Sequence, residues 1–228
     1  MSSMKKIKRY LVKTHIITKD DNIDDIINRY VLPFVKSNDI VVFSESVIAI
    51  IQGRAILEKD IKIGLLAKFL WSKVRKVPYG VGLRSPATMQ CAINEAGAFR
   101  ILIAAIIGGI TRFFGRKGDF YRIAGKDAAM IDAAHTSPVP PFDKYVILGP
   151  KNPQEVVNKL SQKYKLKFAI MDINDIGGSW AVGYSKGIDK EWIENFMRDN
   201  PMGQGKELTP ICIIKSDIYG KDEIKQIS

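Results

Sequence analysis

The stretch from Lys167 to Gly178 constrains the fold more than any other. It reads Lys-Phe-Ala-Ile-Met-Asp-Ile-Asn-Asp-Ile-Gly-Gly. A short apolar strand ends there in two aspartates, an asparagine and a glycine pair. Strand ends that run into Gly-rich turns are where α/β and α+β folds place reactive groups. Carboxylates in that position suit hard cations such as Mg²⁺ or Mn²⁺, which take oxygen ligands. A plainer alternative stands beside this one: an Asx-rich turn whose side chains bond their own backbone.

Length sets the scale. A chain of 228 residues, 46% hydrophobic and 26% charged, suits one large domain or two intimate lobes. Residues 1–215 read as that single domain, and 216–228 as a polar C-terminal tail. Only Cys91 and Cys212 are present, in no CxxC spacing, so a disulfide framework and a zinc knuckle are both excluded and a reducing cytoplasm is expected. With His15 and His135 the only histidines, a His-rich metal site has no material. The most apolar run, Ile101 to Ile110, is about half the roughly 20 residues a membrane helix needs. It reads as a buried core element, and no membrane partner is expected.

The net charge of +11 is concentrated. Residues 61–126 carry 12 Lys or Arg against 2 Asp or Glu. This is either a set of solvated helix faces or a surface for phosphates and anionic substrates. No zinc finger or aromatic RNP box accompanies it, which disfavours nucleic acid as a partner. There is no P-loop and no GxGxxG. The turn Gly115-Arg116-Lys117-Gly118 can still hold a phosphate through backbone N–H groups and arginine forks, with Arg112 beside it. Its alternative is a solvated turn.

Strands are expected at Tyr10–Ile17, Ile40–Phe43, Lys144–Leu148, Phe168–Met171 and Ile211–Ile214. Helices are expected from Ile23 after Asp20-Asp21-Asn22, over 63–74, from Ser85-Pro86 through Ala98, over 154–164 and over 190–198. Residues 99–110 are left open between strand and helix. Asp132, a lone carboxylate among small residues, is either a cap or a partner of something charged. The loop 199–210, dense in Gly, Pro and polar groups, offers Asn200, Gln204 and Glu207 to a ligand.

These motifs together resemble the gamma-glutamyl ligases of the deazaflavin coenzyme F-420, over about Tyr10 to Lys215. The likeness rests on Lys13-Thr14-His15-Ile16-Ile17 with Asp20-Asp21, on Asp39 to Gln52-Gly53-Arg54, and on Ala128 to Asp132. It continues through Leu148-Gly149-Pro150-Lys151-Asn152-Pro153, Met171 to Gly178, Met202-Gly203 and Pro210 to Ile214. The resemblance implies an α+β fold with mixed sheets, a homodimer, and a ligase that uses GTP with Mg²⁺ or Mn²⁺. A small-molecule carboxylate would be activated as an acyl phosphate and captured by an amino acid. It places metal on Asp132 and on Asp172 or Asp175. Nucleotide phosphates fall to Arg112, Arg116, Lys117 and Ser46, and the acceptor pocket to Asn174, Gln204 and Glu207.

The departures are specific. Ser46 stands where the family has a nucleotide-contacting lysine, Ala49 where it has a serine, and Ile173 or Ile176 where it has a threonine. Ser85-Pro86-x-Thr88-Met89-Gln90, Phe114-Gly115-Arg116 and Asp199-Asn200-Pro201-Met202-Gly203-Gln204 are similar to signatures of a divergent branch of that family. Two further readings follow: a nucleotide- or metal-binding regulatory protein that keeps the fold without the chemistry, and an anionic-polymer binder built on residues 61–126.

Overall fold

The computed structural model describes residues 8–73, 85–116, 118–174, 178–215 and 224–227. In chain order the elements are β1 (Lys8–Val12), α1 (Ile23–Tyr30), β2 (Ile40–Ser44), α2 (Glu45–Ile51), β3 (Ala55–Leu57), α3 (Leu65–Lys73), α4 (Pro86–Ala96), α5 (Ala98–Phe113), α6 (Asp119–Ala124) and α7 (Lys126–Ala129). They continue with β4 (Tyr145–Ile147), α8 (Pro153–Tyr164), β5 (Lys167–Ile173), β6 (Ser179–Tyr184), α9 (Lys190–Phe196), β7 (Ile211–Lys215) and β8 (Ile224–Ile227). The class is α+β with mixed sheets. The chain divides into two compact units, residues 1–53 with 150–228, and residues 54–149.

The first unit is built on a six-stranded sheet in the order β6-β5-β2-β7-β1-β8. β2 and β5 run parallel, as do β1 and β8, while the other neighbours are antiparallel. Its strands are apolar at nearly every position because both faces are covered. Val41, Phe43, Phe168, Ile170, Ile211 and Ile213 turn to one side and pack with Ile26 and Ile27 of α1, Ile48 of α2, and Val157 and Leu160 of α8. Val42, Ala169, Met171, Cys212 and Ile214 turn to the other and meet Ile193 of α9 and Met197. Each fully buried Phe or Ile contributes about 1.5–3 kcal/mol. At β6, glycine is required: a Cβ on Gly183 would lie 2.6 Å from the Pro153 carbonyl oxygen. In the polar segment beyond Lys215, Ile224–Ile227 adds an outer strand beside β1.

Local signals act where the side chains dictate. Asn22 caps α1 by accepting from the Asp24 N–H. Ser85 and Thr88 form a reciprocal capping box at the start of α4, with Pro86 at its first turn.

The second unit pairs β3 with β4 and surrounds them with α3 to α7. Met89, Ile101, Ala104, Ala128, Ile131 and Val146 lie at its centre. Residues 99–110 are helical, and the expectation of a buried core element fails there. Of α5 only Ile101 and Ala104 are buried. Its inner side approaches α6 closely: a Cβ on Gly108 would lie 3.0 Å from Phe120 Cβ. Its outer side carries Phe99, Leu102, Ile106, Ile110 and Phe113, with Phe99 76% and Phe113 87% exposed. An apolar composition does not say which side of a helix is covered. Among the described residues no single helix is long and apolar enough to cross a membrane; α4 and α5 pass only as a pair bent by 117°.

Candidate functional site

In the first unit the candidate residues gather where β5 ends. The ladder sets Asp172 opposite Trp180, and the parallel partner strand ends level with it, Ser44 opposite Met171. Asp172 is half-buried, and burial pushes its carboxyl up to about 6. No hydrogen bond or ion pair neutralises it among the described residues. A desolvated carboxylate at a strand end is a candidate oxygen donor to a cation.

Asn174 shapes the turn that follows. Its N–H donates to the Gly178 carbonyl at 2.9 Å, and its Oδ1 accepts from the Gly178 N–H at 3.0 Å. The loop 199–210 folds back to the same strand end, where Gln204 Nε2 donates to the Ile173 carbonyl at 2.9 Å. Glu207 is exposed and lies over the loop glycines, so that a Cβ on Gly205 would sit 2.5 Å from its Oε1. The structure thus brings Asp172, Asn174 and Gln204 to one strand end, with Asn174 and Gln204 making bonds that hold the turn and the loop in place.

Ser46 lies in the first turn of α2, and its hydroxyl donates to Glu45 Oε2 at 2.8 Å. Glu45 is buried and also accepts from the Ser44 hydroxyl at 3.3 Å. It was not foreseen as a site residue. The signal for it was a glutamate placed directly after the strand Ile40–Ser44, which pairs with the strand that carries Asp172.

The remaining candidates belong to the second unit. Asp132 is half-buried and its backbone bridges Ile147, N–H to carbonyl at 2.8 Å and the return bond at 3.0 Å. Arg112 is exposed at the end of α5. Arg116 is committed to Asp119, Nε to Oδ2 at 3.1 Å, and Arg122 meets the other oxygen of that buried carboxylate at 2.7 Å. The basic turn therefore carries its own counter-ion, which the charge count hid. In the same unit, Arg54 donates to the Gly149 carbonyl at 2.6 Å and pairs with Glu95 at 2.7 Å. Asp175 and Lys117 lie outside the described residues. Among the described residues no three His, Cys, Asp or Glu side chains cluster as a metal centre.

Chemically, the strand end offers a proton-accepting or cation-binding carboxylate, amides that order the surrounding backbone, and a second buried acid, Glu45, at the start of the helix that follows the adjacent strand.

Two comparisons with known proteins bear on this arrangement. No curated protein matches the chain. A family model described as F420-0:Gamma-glutamyl ligase matches residues 11–172, more than two thirds of the chain and ending at the aspartate just described. The chain belongs to the F420-0:gamma-glutamyl ligase family.

Proposed function

We propose that the protein is a metal- and GTP-dependent amide ligase of the gamma-glutamyl type. The observation that carries this reading is Asp172, a desolvated carboxylate at a strand end, without an ion pair among the described residues, in a chain of this family. In the reaction, a substrate carboxylate oxygen attacks the γ-phosphorus of GTP and GDP leaves. The amine of an amino acid then attacks the acyl carbon, phosphate departs, and the amine gives up its proton as the amide forms. A divalent Mg²⁺ or Mn²⁺, when bound, spreads the negative charge of the phosphates. Asp172 or Asp175 of the first unit would supply one metal ligand, and Asp132 of the second unit another of its own. The phosphate-binding groups would be Ser46 in the first unit, donating a hydroxyl in place of the family's lysine charge, and Arg112, Arg116 and Lys117 in the second. Asn174, Gln204 and Glu207 would shape the wall beside Asp172.

A thermal-shift screen of GTP, GDP and ATP with and without Mn²⁺ tests this. A ligand at 100 times its dissociation constant adds about 2.7 kcal/mol, or roughly 5–10 °C for a chain of this size. Metal-dependent stabilisation by GTP, lost in Asp132→Asn and Asp172→Asn, is expected. No shift with any nucleotide would sink the ligase reading.

The engagement of Ser46 by Glu45, and of Arg116 by Asp119, favours one second reading: a non-catalytic nucleotide- or metal-binding regulator. Phosphate release from GTP in a single turnover separates the two.

The reading includes a homodimer. Phe99, Leu102, Ile106, Ile110 and Phe113 recur at steps of three and four along α5, a self-complementary stripe for a twofold-related copy. An antiparallel pairing keeps the two Arg112 ends about a helix length apart, roughly 24 Å, beyond the ~8 Å screening length at physiological salt. Sedimentation should show a dimer for the native chain and a folded monomer for Ile106→Asp. A native chain that sediments as a monomer at micromolar concentration would exclude this interface.

A further inference from the structure

Beside the edge strand β6 lies a cavity of about 280 Å³ to which the ligase reading gives no part. Ser179 and Trp180 line it from β6, and Glu191, Glu194, Asn195 and Arg198 from α9 and the residues just beyond it. Those four stand at i, i+3, i+4 and i+7, one stripe of a helix.

The cavity differs from a solvated helix face in three ways. Ser179 is 8% exposed, yet its hydroxyl has no hydrogen-bond partner among the described residues. A buried hydroxyl of that kind is stabilised only when something enters to pair with it. Glu194 is fixed in place, its Oε1 accepting from the Ala181 N–H at 2.9 Å, which leaves Oε2 to accept from a ligand. Trp180 is 51% exposed, and its indole lies across Gly178 so closely that a Cβ there would strike the ring. A broad apolar surface is thus held still beside the polar groups.

The polar groups set the ligand class. Neither the Arg198 guanidinium nor the Glu191 carboxylate makes an ion pair or hydrogen bond among the described residues. With Glu194 and the Lys190 ammonium 3.7 Å from it, their charges sum to zero. Donors and acceptors are also mixed: two carboxylates accept, the guanidinium donates, and the Asn195 amide and Ser179 hydroxyl do both. An uncharged surface with both kinds side by side matches hydroxyl groups, each of which donates and accepts at one oxygen.

We propose that this cavity binds the pyranose ring of a neutral sugar. The C–H face of the ring lies on Trp180. Sugar hydroxyls accept from Arg198 and donate to Glu191 and Glu194, and Ser179 and Asn195 pair with those that remain. The volume equals about nine waters at ~30 Å³ each, room for one such ring. The aromatic wall selects the closed form: an open-chain polyol has the same hydroxyls but no rigid apolar face, and it loses more rotational freedom on binding. The site is independent of the ligase reading.

The test is a ligand-observed NMR titration of D-glucose, D-galactose and D-mannose into the full chain, without nucleotide or metal, with sorbitol as the open-chain control. At least one pyranose is expected to bind in the millimolar range, about tenfold or more tightly than sorbitol, a difference of roughly 1.4 kcal/mol. Trp180→Ala and Arg198→Ala change exposed side chains, and each should weaken binding about tenfold or more. Ser179→Ala should also weaken it, in a protein at least as stable as the native chain, because the substitution removes an unpaired buried hydroxyl. No binding of any pyranose at tens of millimolar, or binding untouched by Trp180→Ala and Arg198→Ala, would overturn the proposal. So would sorbitol binding as tightly as the sugars. Displacement of bound sugar by guanosine or L-glutamate would overturn it too, by making the cavity part of a ligase site. A chain that binds sugar but releases no phosphate from GTP loses the ligase reading and keeps this one.

Discussion

Replacing Asp39 by alanine is expected to cost the fold about 3–5 kcal/mol, as removal of one partner from a buried ion pair does. Asp39 is fully buried at the entry to β2. Its Oδ2 accepts from the Lys36 N–H at 2.8 Å and from the Lys215 ammonium at 2.7 Å. Lys215 closes β7, the strand paired with β2 through Ile40 and Ile214, and its side chain is 15% exposed. Without the carboxylate, that ammonium would be desolvated beside the Phe34 carbonyl and the Tyr10 ring, with no counter-charge from Asp39. The melting temperature should fall by roughly 10 °C at the ~2–4 °C per kcal/mol typical of this chain length. Lys215→Met in the Asp39→Ala background should recover part of the loss, because it removes the orphaned charge and keeps the stem's packing. Urea denaturation of the native chain and the two variants measures this. A loss under about 1 kcal/mol would show that the pair behaves as a surface bridge.

Asp172→Asn should do the opposite and make the metal-free protein more stable at pH 7.5. Burial raises this carboxyl from 3.8 to about 6, so the folded chain holds the proton more tightly than the unfolded chain does. Below about pH 4 both states are protonated, and the acid and its amide substitute are equivalent. As pH rises from about 4 to 6 the unfolded chain gains stability by ionising while the folded chain resists. Above 6 the penalty is constant, about 2–3 kcal/mol at 1.36 kcal/mol per unit. The variant should therefore match the native chain near pH 3.5 and exceed it by about 2 kcal/mol at pH 7.5. Denaturant titrations at the two pH values decide it. Equal stability at pH 7.5 would mean that Asp172 is already neutralised by a group it meets in solution, and its candidacy as a cation ligand would weaken. In the same variant Mn²⁺ should no longer protect the fold.

Much of the architecture was legible because local chemistry and tertiary demand agree. Asn22, and Ser85 with Pro86, mark helix starts that the backbone needs in any context. The apolar runs at 40–43, 168–171 and 211–214 are strands covered on both faces. What could not be read depended on neighbours distant in sequence. The strand Ser179 to Tyr184 was not among those expected, and the need for its Gly183 shows only in the Pro153 carbonyl pressed against that position. Asp39 reads as a turn residue, because its partner is 176 positions away. The basic turn at 115–118 looks open to phosphate until Asp119 is found buried between two arginines. At the candidate site, Asp172, Asn174 and Gln204 were recognisable from the turn and loop that carry them. Glu45 was not, since an acidic residue in the first turn of a short helix is ordinarily solvent-facing.

The sheet order has a further consequence for how the chain is made. β1 lies between β7 and β8, and its antiparallel partner lies about 200 residues downstream, Val12 against Ile211. At about 5–20 residues per second, the first strand waits on the order of 10 s or more on the ribosome before that neighbour exists. Residues 54–149 form a contiguous unit and emerge in the meantime. The inserted unit can therefore fold while the sheet of the other is still a set of unpaired edges, and in the growing chain the N-terminal strand is the segment most in need of a chaperone.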